Sequence, residues 1–447
     1  MLKEFELSLE ILNDVLDEKT PFAEALRKQF QTHADIRPLR GQVAGLVGCE
    51  LRHQIYFDYM TRKLEDFTLS ERRLLCLVLA NAFYYRRFDV DQTRHELLAV
   101  VGEEKMGRCQ ELIDLASTPE NYIPADVDRK SPLYLSLRFN VPEWTVKIIA
   151  HFGGSATYNS LRKLSRQLTT TLRVRTSEVA LARVFENPDY TSTPVNGIVF
   201  YKGNVPLRKI PEFQKGQYFP EKMLTKHIID ENLVADPGEV LLYNGNKDSS
   251  LERELIETYG ANVGLNIATS GSVDEKIEVS KLIKAKGLKN VNFFSAPDPL
   301  NMEASVSRMA KLVLVSPEST NFDLIPTSPD YLLHFDTQKM DEIIDGEKKA
   351  LEGCSKYVEE GGKLVYVVYT ISKKEGRQNV SEFLKAHPEF TLVNDHQYFP
   401  HEELETAAYV AVLLKGEKEL TISTPFAEIS APLPTTSAVT TPTATSK

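Results

Sequence analysis

The segment Lys363–Thr370 (KLVYVVYT), preceded by the turn Glu360-Gly361-Gly362, decides the fold of this chain. Its residues are nearly all apolar, β-branched or aromatic, which predicts a strand. Four shorter strand-like runs precede it after Pro237-Gly238, and helical patterns separate them. Strands that alternate with helices in this way are typical of a parallel, doubly wound sheet. The four runs are Val240–Tyr243, Asn262–Ile267, Asn290–Ser295 and Lys311–Ser316.

The residues after this strand predict a closing hairpin and then a tail. Phe390–Asn394 and Ala407–Leu414 are two further strand-like runs. Beyond them Thr, Ser, Pro and Ala dominate, a composition that cannot bury enough apolar surface to fold. We therefore expect residues 417–447 to be disordered.

The first 130 residues predict helices only. Phe5, Leu9, Leu12 and Leu16 recur at helical spacing, which predicts an amphipathic helix. A second helical pattern covers residues 40–63, and a third runs from Ser70, the expected N-cap, to Phe88. Residues 1–130 are thus expected to form an all-helical bundle.

Residues 131–222 have a different texture, with helical patterns followed by short β-rich runs at Thr169–Arg175 and Gly197–Lys202. This predicts a small α+β module between the bundle and the doubly wound domain, residues 223–416. The fold class is therefore multidomain, α and α/β.

Composition excludes several classes of protein. The chain has 447 residues and a net charge of −10, with no run of eighteen apolar residues and no basic, apolar leader at its start. We expect a cytoplasmic protein that does not bind a membrane. Widely spaced cysteines without a C-x-x-C pair argue against a disulfide framework and against a metal site. The four cysteines are Cys49, Cys76, Cys109 and Cys354.

Positive charge is concentrated in one stretch of this acidic chain. Residues 161–220 hold ten bases and four acids, a net charge of +6. Such charge is suited to RNA phosphates, although a solvated protein face has the same composition. The candidate RNA-binding residues are Arg162, Lys163, Arg166, Arg173, Arg175, Lys202, Lys209 and Lys215.

The order and spacing of several motifs resemble those of the 16S rRNA (cytosine-5) methyltransferases of the NusB/RsmB type. The motifs are residues 136–144 (SLRFNVPEW), 197–204 (GIVFYKGN), 213–218 (FQKGQY) and 360–370 (EGGKLVYVVYT). The resemblance implies an N-terminal NusB-like bundle, a small module that borders bound RNA, and a C-terminal Rossmann-like class I methyltransferase domain.

The resemblance also implies two catalytic cysteines, and this chain has neither. In that family a cysteine thiolate attacks C6 of cytosine, which activates C5, and a second cysteine assists product release. Glu318 and Tyr369 occupy the two cysteine positions, and no cysteine lies within residues 313–322 or 363–375. We expect that no catalytic residue of this chemistry is retained.

The positions at which the family binds S-adenosylmethionine are altered as well. The glycine-rich turn after the first strand reads Asn244-Gly245-Asn246, with a single glycine. Asn266 stands where a carboxylate normally accepts hydrogen bonds from the ribose, and Asp298 lies two positions beyond the usual adenine-contacting acid. The family-equivalent pocket would thus consist of Asn244, Gly245, Asn266 and Asp298, and we expect no cofactor to be used.

These observations favour a non-catalytic, bacterial, RNA-binding paralogue of the rRNA cytosine-5 methyltransferases, acting in ribosome assembly or transcription. Its expected partners are RNA, above all ribosomal RNA, and a protein bound through the helical domain, but not DNA. One alternative is an active S-adenosylmethionine-dependent RNA methyltransferase with divergent motifs, acting on a nitrogen or oxygen that needs no covalent adduct. A second is a protein-interaction scaffold, which the acidic balance outside residues 161–220 favours.

Overall fold

The computed structural model describes residues 2–115, 123, 127–166, 168–233, 238–270 and 273–416. The predicted tail, residues 417–447, lies outside the described residues. Residues 2–115 are helical and contain no strand. Their helices pack around fully buried apolar side chains such as Phe5, Leu46 and Leu77. They are α1 (Lys3–Leu16), α2 (Phe22–Thr32), α3 (Arg40–Leu51), α4 (Gln54–Thr61), α5 (Leu69–Ala80) and α6 (Val90–Asp114).

Three predicted helix boundaries in this bundle are wrong. The third helix, predicted to end at Phe88, ends at Ala80. The helix expected over residues 40–63 is interrupted at Arg52 and His53, between α3 and α4. The N-cap of α5 is Thr68 and not Ser70. The Thr68 hydroxyl accepts a 3.2 Å hydrogen bond from the Glu71 N–H, and the Glu71 carboxylate accepts a 2.7 Å hydrogen bond from the Thr68 N–H. This reciprocal pair is a capping box, whose second member identifies Thr68 as the cap. The likeness of the bundle to NusB stays a prediction.

The small α+β module consists of helices followed by a four-stranded antiparallel sheet with strand order β2-β3-β1-β4. The predicted runs form β1 and β3, whereas β2 and β4, with three residues each, were too short to be recognised in the sequence. The elements are α7 (Pro132–Phe139), α8 (Glu143–Ala150), α9 (Gly154–Leu164), β1 (Thr170–Val174), α10 (Leu181–Val184), β2 (Tyr190–Ser192), β3 (Ile198–Tyr201), α11 (Pro211–Gln214) and β4 (Tyr218–Pro220).

The large domain contains a seven-stranded sheet with strand order β10-β11-β9-β8-β5-β6-β7. Strands β5 to β9 pair in parallel, and β10 and β11 form the antiparallel hairpin that the sequence predicts. The expected fold class is therefore confirmed. The strands are β5 (Glu239–Asn244), β6 (Gly264–Thr269), β7 (Val291–Ser295), β8 (Ala310–Ser316), β9 (Val358–Val368), β10 (Phe390–Tyr398) and β11 (Ala408–Lys415). The helices are α12 (Met223–Glu231), α13 (Ser250–Tyr259), α14 (Val273–Ala285), α15 (Tyr331–His334), α16 (Met340–Ser355) and α17 (Asn379–Ala386).

The glycine pair before Lys363 lies within a strand and does not precede it. Strand β9 begins at Val358, which pairs with Ala310, and the next pair is Lys363 with Leu312. The extra residues of β9 bulge out, and Gly361 adopts a φ of 72°, which glycine reaches without strain.

Parallel pairing places the carboxyl ends of the central strands along one edge of the sheet. Asn244, the last residue of β5, pairs with Thr269 on β6 and with Ser316 on β8. Ligands of open α/β sheets bind outside this edge, so the loops that follow these strands define the candidate site. None of the helices in the described ranges is long and apolar enough to cross a membrane.

Candidate functional site at the carboxyl edge of the sheet

Asn244 uses its side chain to hold its own loop. The residue is buried, and its amide Nδ2 donates hydrogen bonds of 2.9 Å to both carboxylate oxygens of Glu252 and of 2.7 Å to the carbonyl oxygen of Asp248. Both N–H donors are thus engaged within the protein. The Asn244 side chain has no donor left for a ligand at this edge.

The loop after β5 also lies directly against the loop after β8. The N–H of Gly245 donates a 2.7 Å hydrogen bond to the carbonyl oxygen of Ser316, and Asn246 Nδ2 donates one of 2.9 Å to the Ser316 hydroxyl. A Cβ on residue 245 would lie 2.6 Å from the backbone nitrogen of Glu318, so only glycine fits. The cavity between Asn246 and Thr269 is too small for a water molecule. The loops that follow β5 and β8 are therefore in direct contact.

Asn266 does not lie at this edge, which corrects its predicted place in the cofactor pocket. It is the third residue of β6, and its Nδ2 donates a 2.9 Å hydrogen bond to the carboxylate of Glu239, the first residue of β5. The strand continues to Thr269, two residues beyond the predicted end at Ile267. Asn266 therefore lies nearer the amino end of the strands, and Thr269 occupies the carboxyl end.

Asp298 follows β7 at the carboxyl edge and is exposed. Its carboxylate accepts a 3.0 Å hydrogen bond from the N–H of Leu300 and another from the side chain of Asn301. These are contacts within one turn, so the residue stabilises its own loop.

Glu318 and Tyr369, the two residues predicted to occupy the cysteine positions, have opposite surroundings. Glu318 is exposed, whereas Tyr369 is buried and has the Lys222 ammonium 4.6 Å from its ring centre. Burial raises the pKa of the Tyr369 hydroxyl, so this side chain stays neutral near pH 7. Of the four cysteines, Cys354 is buried in α16, where burial raises its thiol pKa, and the other three belong to the helical bundle. The edge thus has no thiolate.

Lys222 connects two loops of the edge. It precedes α12, and its Nζ lies 2.5 Å from an Asp248 carboxylate oxygen and 2.7 Å from one of Asp323. Burial alone would lower the pKa of Lys222, but Asp323 and Asp248 hold it well above the usual value. Burial likewise opposes ionisation of Asp248, and Lys222 outweighs it and lowers that pKa to about 2. Lys222 is therefore a charged, partly buried link between the loops after β5 and β8.

A cleft of about 980 Å³ opens beside this link, between the small module and helices α13 and α14. The sequence analysis missed it because its walls come from segments that are distant along the chain. Its lining includes Thr170, Phe219, Glu221, Lys222, Asp248, Arg253, Lys281 and Asp323. Burial raises the pKa of Glu221 to about 8, so this cleft has a carboxyl group that is mainly protonated near pH 7.

The eight predicted RNA-binding residues fall into two groups. Three of them form ion pairs within the protein: Arg173 with Glu254, Arg175 with Glu257, and Lys163 with Glu405. The other five are exposed and form no ion pair with any residue that the structure describes. They are Arg162, Arg166, Lys202, Lys209 and Lys215.

Metal binding has no support in the described part of the chain. No group of three or more His, Cys, Asp or Glu side chains there could hold a metal ion.

Comparison with known proteins supports the fold. No protein-family model and no curated protein matches the chain. The solved structure of PH0851 is 18% identical with a TM-score of 0.71, and the match covers 93% of this chain and 99% of that one. A methyltransferase homolog protein from Pyrococcus horikoshii is 12% identical with a TM-score of 0.53, covering 64% of this chain and 99% of its own. NSun6 from the same organism is also 12% identical, with a TM-score of 0.52 and coverage of 62% and 99%. At these identities the likeness is one of fold, and the methyltransferase-like fold expected from the motifs is confirmed.

Proposed function

We propose that this chain is a non-catalytic RNA-binding protein built on a methyltransferase-like fold, a paralogue of the rRNA cytosine-5 methyltransferases that acts in bacterial ribosome assembly or transcription. One observation carries the proposal: at the edge at which a methyltransferase holds its cofactor and nucleophile, the loop after β5 is packed on the loop after β8 and the position after β9 has no thiol. Gly245 lies against the backbone of Glu318, and Tyr369, not a thiol, follows β9.

Two residues of the predicted cofactor pocket, Asn244 and Asn266, are not placed to bind S-adenosylmethionine. Asn244 donates to Glu252 and Asp248, and Asn266, the residue predicted in place of the ribose-contacting carboxylate, lies away from the edge. A charge-assisted hydrogen bond contributes about 1.5–3 kcal/mol, so the loss of two removes roughly two to four powers of ten in affinity. Under this proposal, the protein does not use S-adenosylmethionine.

The exposed bases of the small module support RNA binding. Arg162, Arg166, Lys202, Lys209 and Lys215 have their charges in solvent and not in ion pairs with described residues. Phosphate contacts require such accessible cations, and counterion release makes their affinity depend on salt.

Two titrations of the purified protein test the proposal. Calorimetry with S-adenosylmethionine should give no binding in the micromolar range. Fluorescence anisotropy with a single-stranded fragment of bacterial 16S rRNA should give binding that weakens with salt. A dissociation constant below about 10 µM for the cofactor, which corresponds to about 7 kcal/mol, would restore the active-methyltransferase alternative. Absence of RNA binding at low salt would leave the scaffold alternative.

A further inference from the structure

The imidazole of His387 bridges two carboxylates from different elements of the large domain. Its Nε2 lies 2.6 Å from Glu352 Oε2, on α16, and its Nδ1 lies 3.1 Å from Glu389 Oε1, just before β10. A carboxylate only accepts hydrogen bonds, and a neutral imidazole has a single N–H. Both contacts are hydrogen bonds at once only when both ring nitrogens carry a proton. The geometry is therefore that of an imidazolium cation.

The other surroundings of His387 also favour a positive charge. Its ring stacks on that of Phe383, with the ring centres 4.3 Å apart and the planes inclined by 24°, and an aromatic face attracts cations. The residue is the C-cap of α17, where the helix dipole favours a cation. Burial alone would lower the pKa of His387, but the hydrogen bonds to Glu352 and Glu389 outweigh it and raise that pKa.

The remaining charged groups around this junction are engaged with one another. The Lys348 ammonium, on α16, lies 2.8 Å from the Glu382 carboxylate, on α17. Lys415, on β11, lies with its ammonium 5.7 Å from the centre of the ring that follows Glu389. A hydrogen bond to its own backbone, together with the charges of His387 and Lys415, lowers the pKa of Glu389. Glu389 therefore stays ionised in the range where an imidazole titrates.

His387 holds the far end of a helix whose first turn adjoins the carboxyl edge of the sheet. α17 begins at Asn379, whose Nδ2 donates a 2.8 Å hydrogen bond to Glu347 of α16. Glu375, four residues earlier, accepts hydrogen bonds from the loops that follow β8 and β9. The contact between His387 and Glu352 fastens the same two helices at their other end. The pair thus completes the attachment of α17 to α16.

We propose that His387 is a pH-dependent clamp, which as an imidazolium fastens α17 and the start of β10 to α16 and which releases one of the two carboxylates when it loses a proton to solvent. A neutral ring presents a lone pair to one carboxylate, and that contact becomes repulsive. Because the pKa is raised in the fold, the clamp contributes stability that is fully present below the ordinary pKa of 6.5 and is lost as pH rises through the folded pKa. Neither RNA nor a cofactor takes part in it.

A proton NMR titration of the full-length wild type tests the charge directly. The ring signals of His387 are identified by their nuclear Overhauser contacts with the Phe383 ring, so no variant is needed. Their titration midpoint should lie above 6.5, and a midpoint at or below 6.5 would overturn the proposal. Glu352→Gln should lower the midpoint, because an amide replaces one of the two charged acceptors. Glu342→Gln, a change of an exposed acid in the first turn of α16, should leave the midpoint unaltered.

Urea unfolding of the wild type and of His387→Gln then tests the clamp. A glutamine amide can still donate to one carboxylate, but it does not titrate. The wild type should be the more stable protein at pH 6, and this advantage should shrink or vanish at pH 9. An advantage of the same size at both pH values would mean that a neutral ring keeps both contacts, and the clamp would be wrong.

Discussion

The backbone N–H of Tyr369 donates a 3.2 Å hydrogen bond to the Ser319 hydroxyl, so the loops that follow β8 and β9 lie side by side. Glu375 joins the same loops more firmly. Its carboxylate accepts hydrogen bonds of 2.8 and 2.9 Å from the N–H and hydroxyl of Thr320, and one of 2.6 Å from the Thr370 hydroxyl. The two positions predicted to match the cysteines of the cytosine-5 methyltransferases thus lie on neighbouring loops.

Restoring a cysteine should not restore cytosine methylation. Neither Glu318→Cys nor Tyr369→Cys opens the contact between Gly245 and the backbone of Glu318, and neither frees the Asn244 amide from Glu252. We expect both variants to transfer no methyl group from S-adenosylmethionine to 16S rRNA fragments, measured with a tritiated cofactor. Methyl transfer by either variant above the wild-type level would show that the edge can still bind the cofactor.

Removal of two exposed bases should weaken RNA binding without affecting stability. Arg162 and Arg166 are exposed and form no ion pair with described residues. Each single-strand phosphate contact contributes about 0.7 to the slope of log K against log salt, so the double alanine variant should lose about 1.4. Anisotropy over a salt series measures the slope, and the melting temperature should stay that of the wild type. Lys349→Ala with Lys385→Ala, a change of exposed bases on α16 and α17, should leave the slope unaltered.

Removal of Arg173 should instead lower the stability of the protein. Its guanidinium Nε lies 3.1 Å from the carboxylate of Glu254, whose side chain is 0% exposed. Arg173→Ala leaves this carboxylate buried without its main partner, which costs about 3–5 kcal/mol of unfolding free energy. Urea unfolding measures the loss. The double variant Arg173→Ala, Glu254→Gln should regain part of it, and an unchanged midpoint for Arg173→Ala would mean that the pair does not hold the module against α13.

The contrast between Arg166 and Arg173 shows what the sequence could predict and what it could not. Runs of apolar residues identify the strands of the large sheet, because a central strand must bury nearly every side chain. The sequence of the basic stretch does not indicate which cations form ion pairs within the protein. Glu254, for example, lies 81 residues from Arg173 along the chain. Asn266 was misplaced because the polar residue within β6 hid the true end of the strand at Thr269. The walls of the cleft beside Lys222 come from segments spread over residues 168–406. The cleft therefore depends on tertiary structure, which no local sequence pattern contains.

Glu50 makes the stability of the helical bundle depend on pH. It is 0% exposed on α3, and neither carboxyl oxygen has a hydrogen-bond partner within the described residues. Burial raises its pKa well above the usual value, Asp58 raises it further, and Arg73 only partly opposes them. A carboxyl whose pKa is higher in the folded state contributes stability that is fully present below its unfolded pKa and is lost as pH rises through the folded pKa.

The variant Glu50→Gln removes this titration and should therefore gain stability relative to the wild type as pH rises. We expect the difference in unfolding free energy between the variant and the wild type to be larger at pH 8 than at pH 5, measured by urea unfolding at both values. Each unit by which the folded pKa exceeds the unfolded one corresponds to about 1.4 kcal/mol. Glu65→Gln, a change of an exposed acid in the same bundle, should show no such difference. If Glu50→Gln lowers stability equally at both pH values, Glu50 is ionised in the fold, and Arg73 must then be its partner.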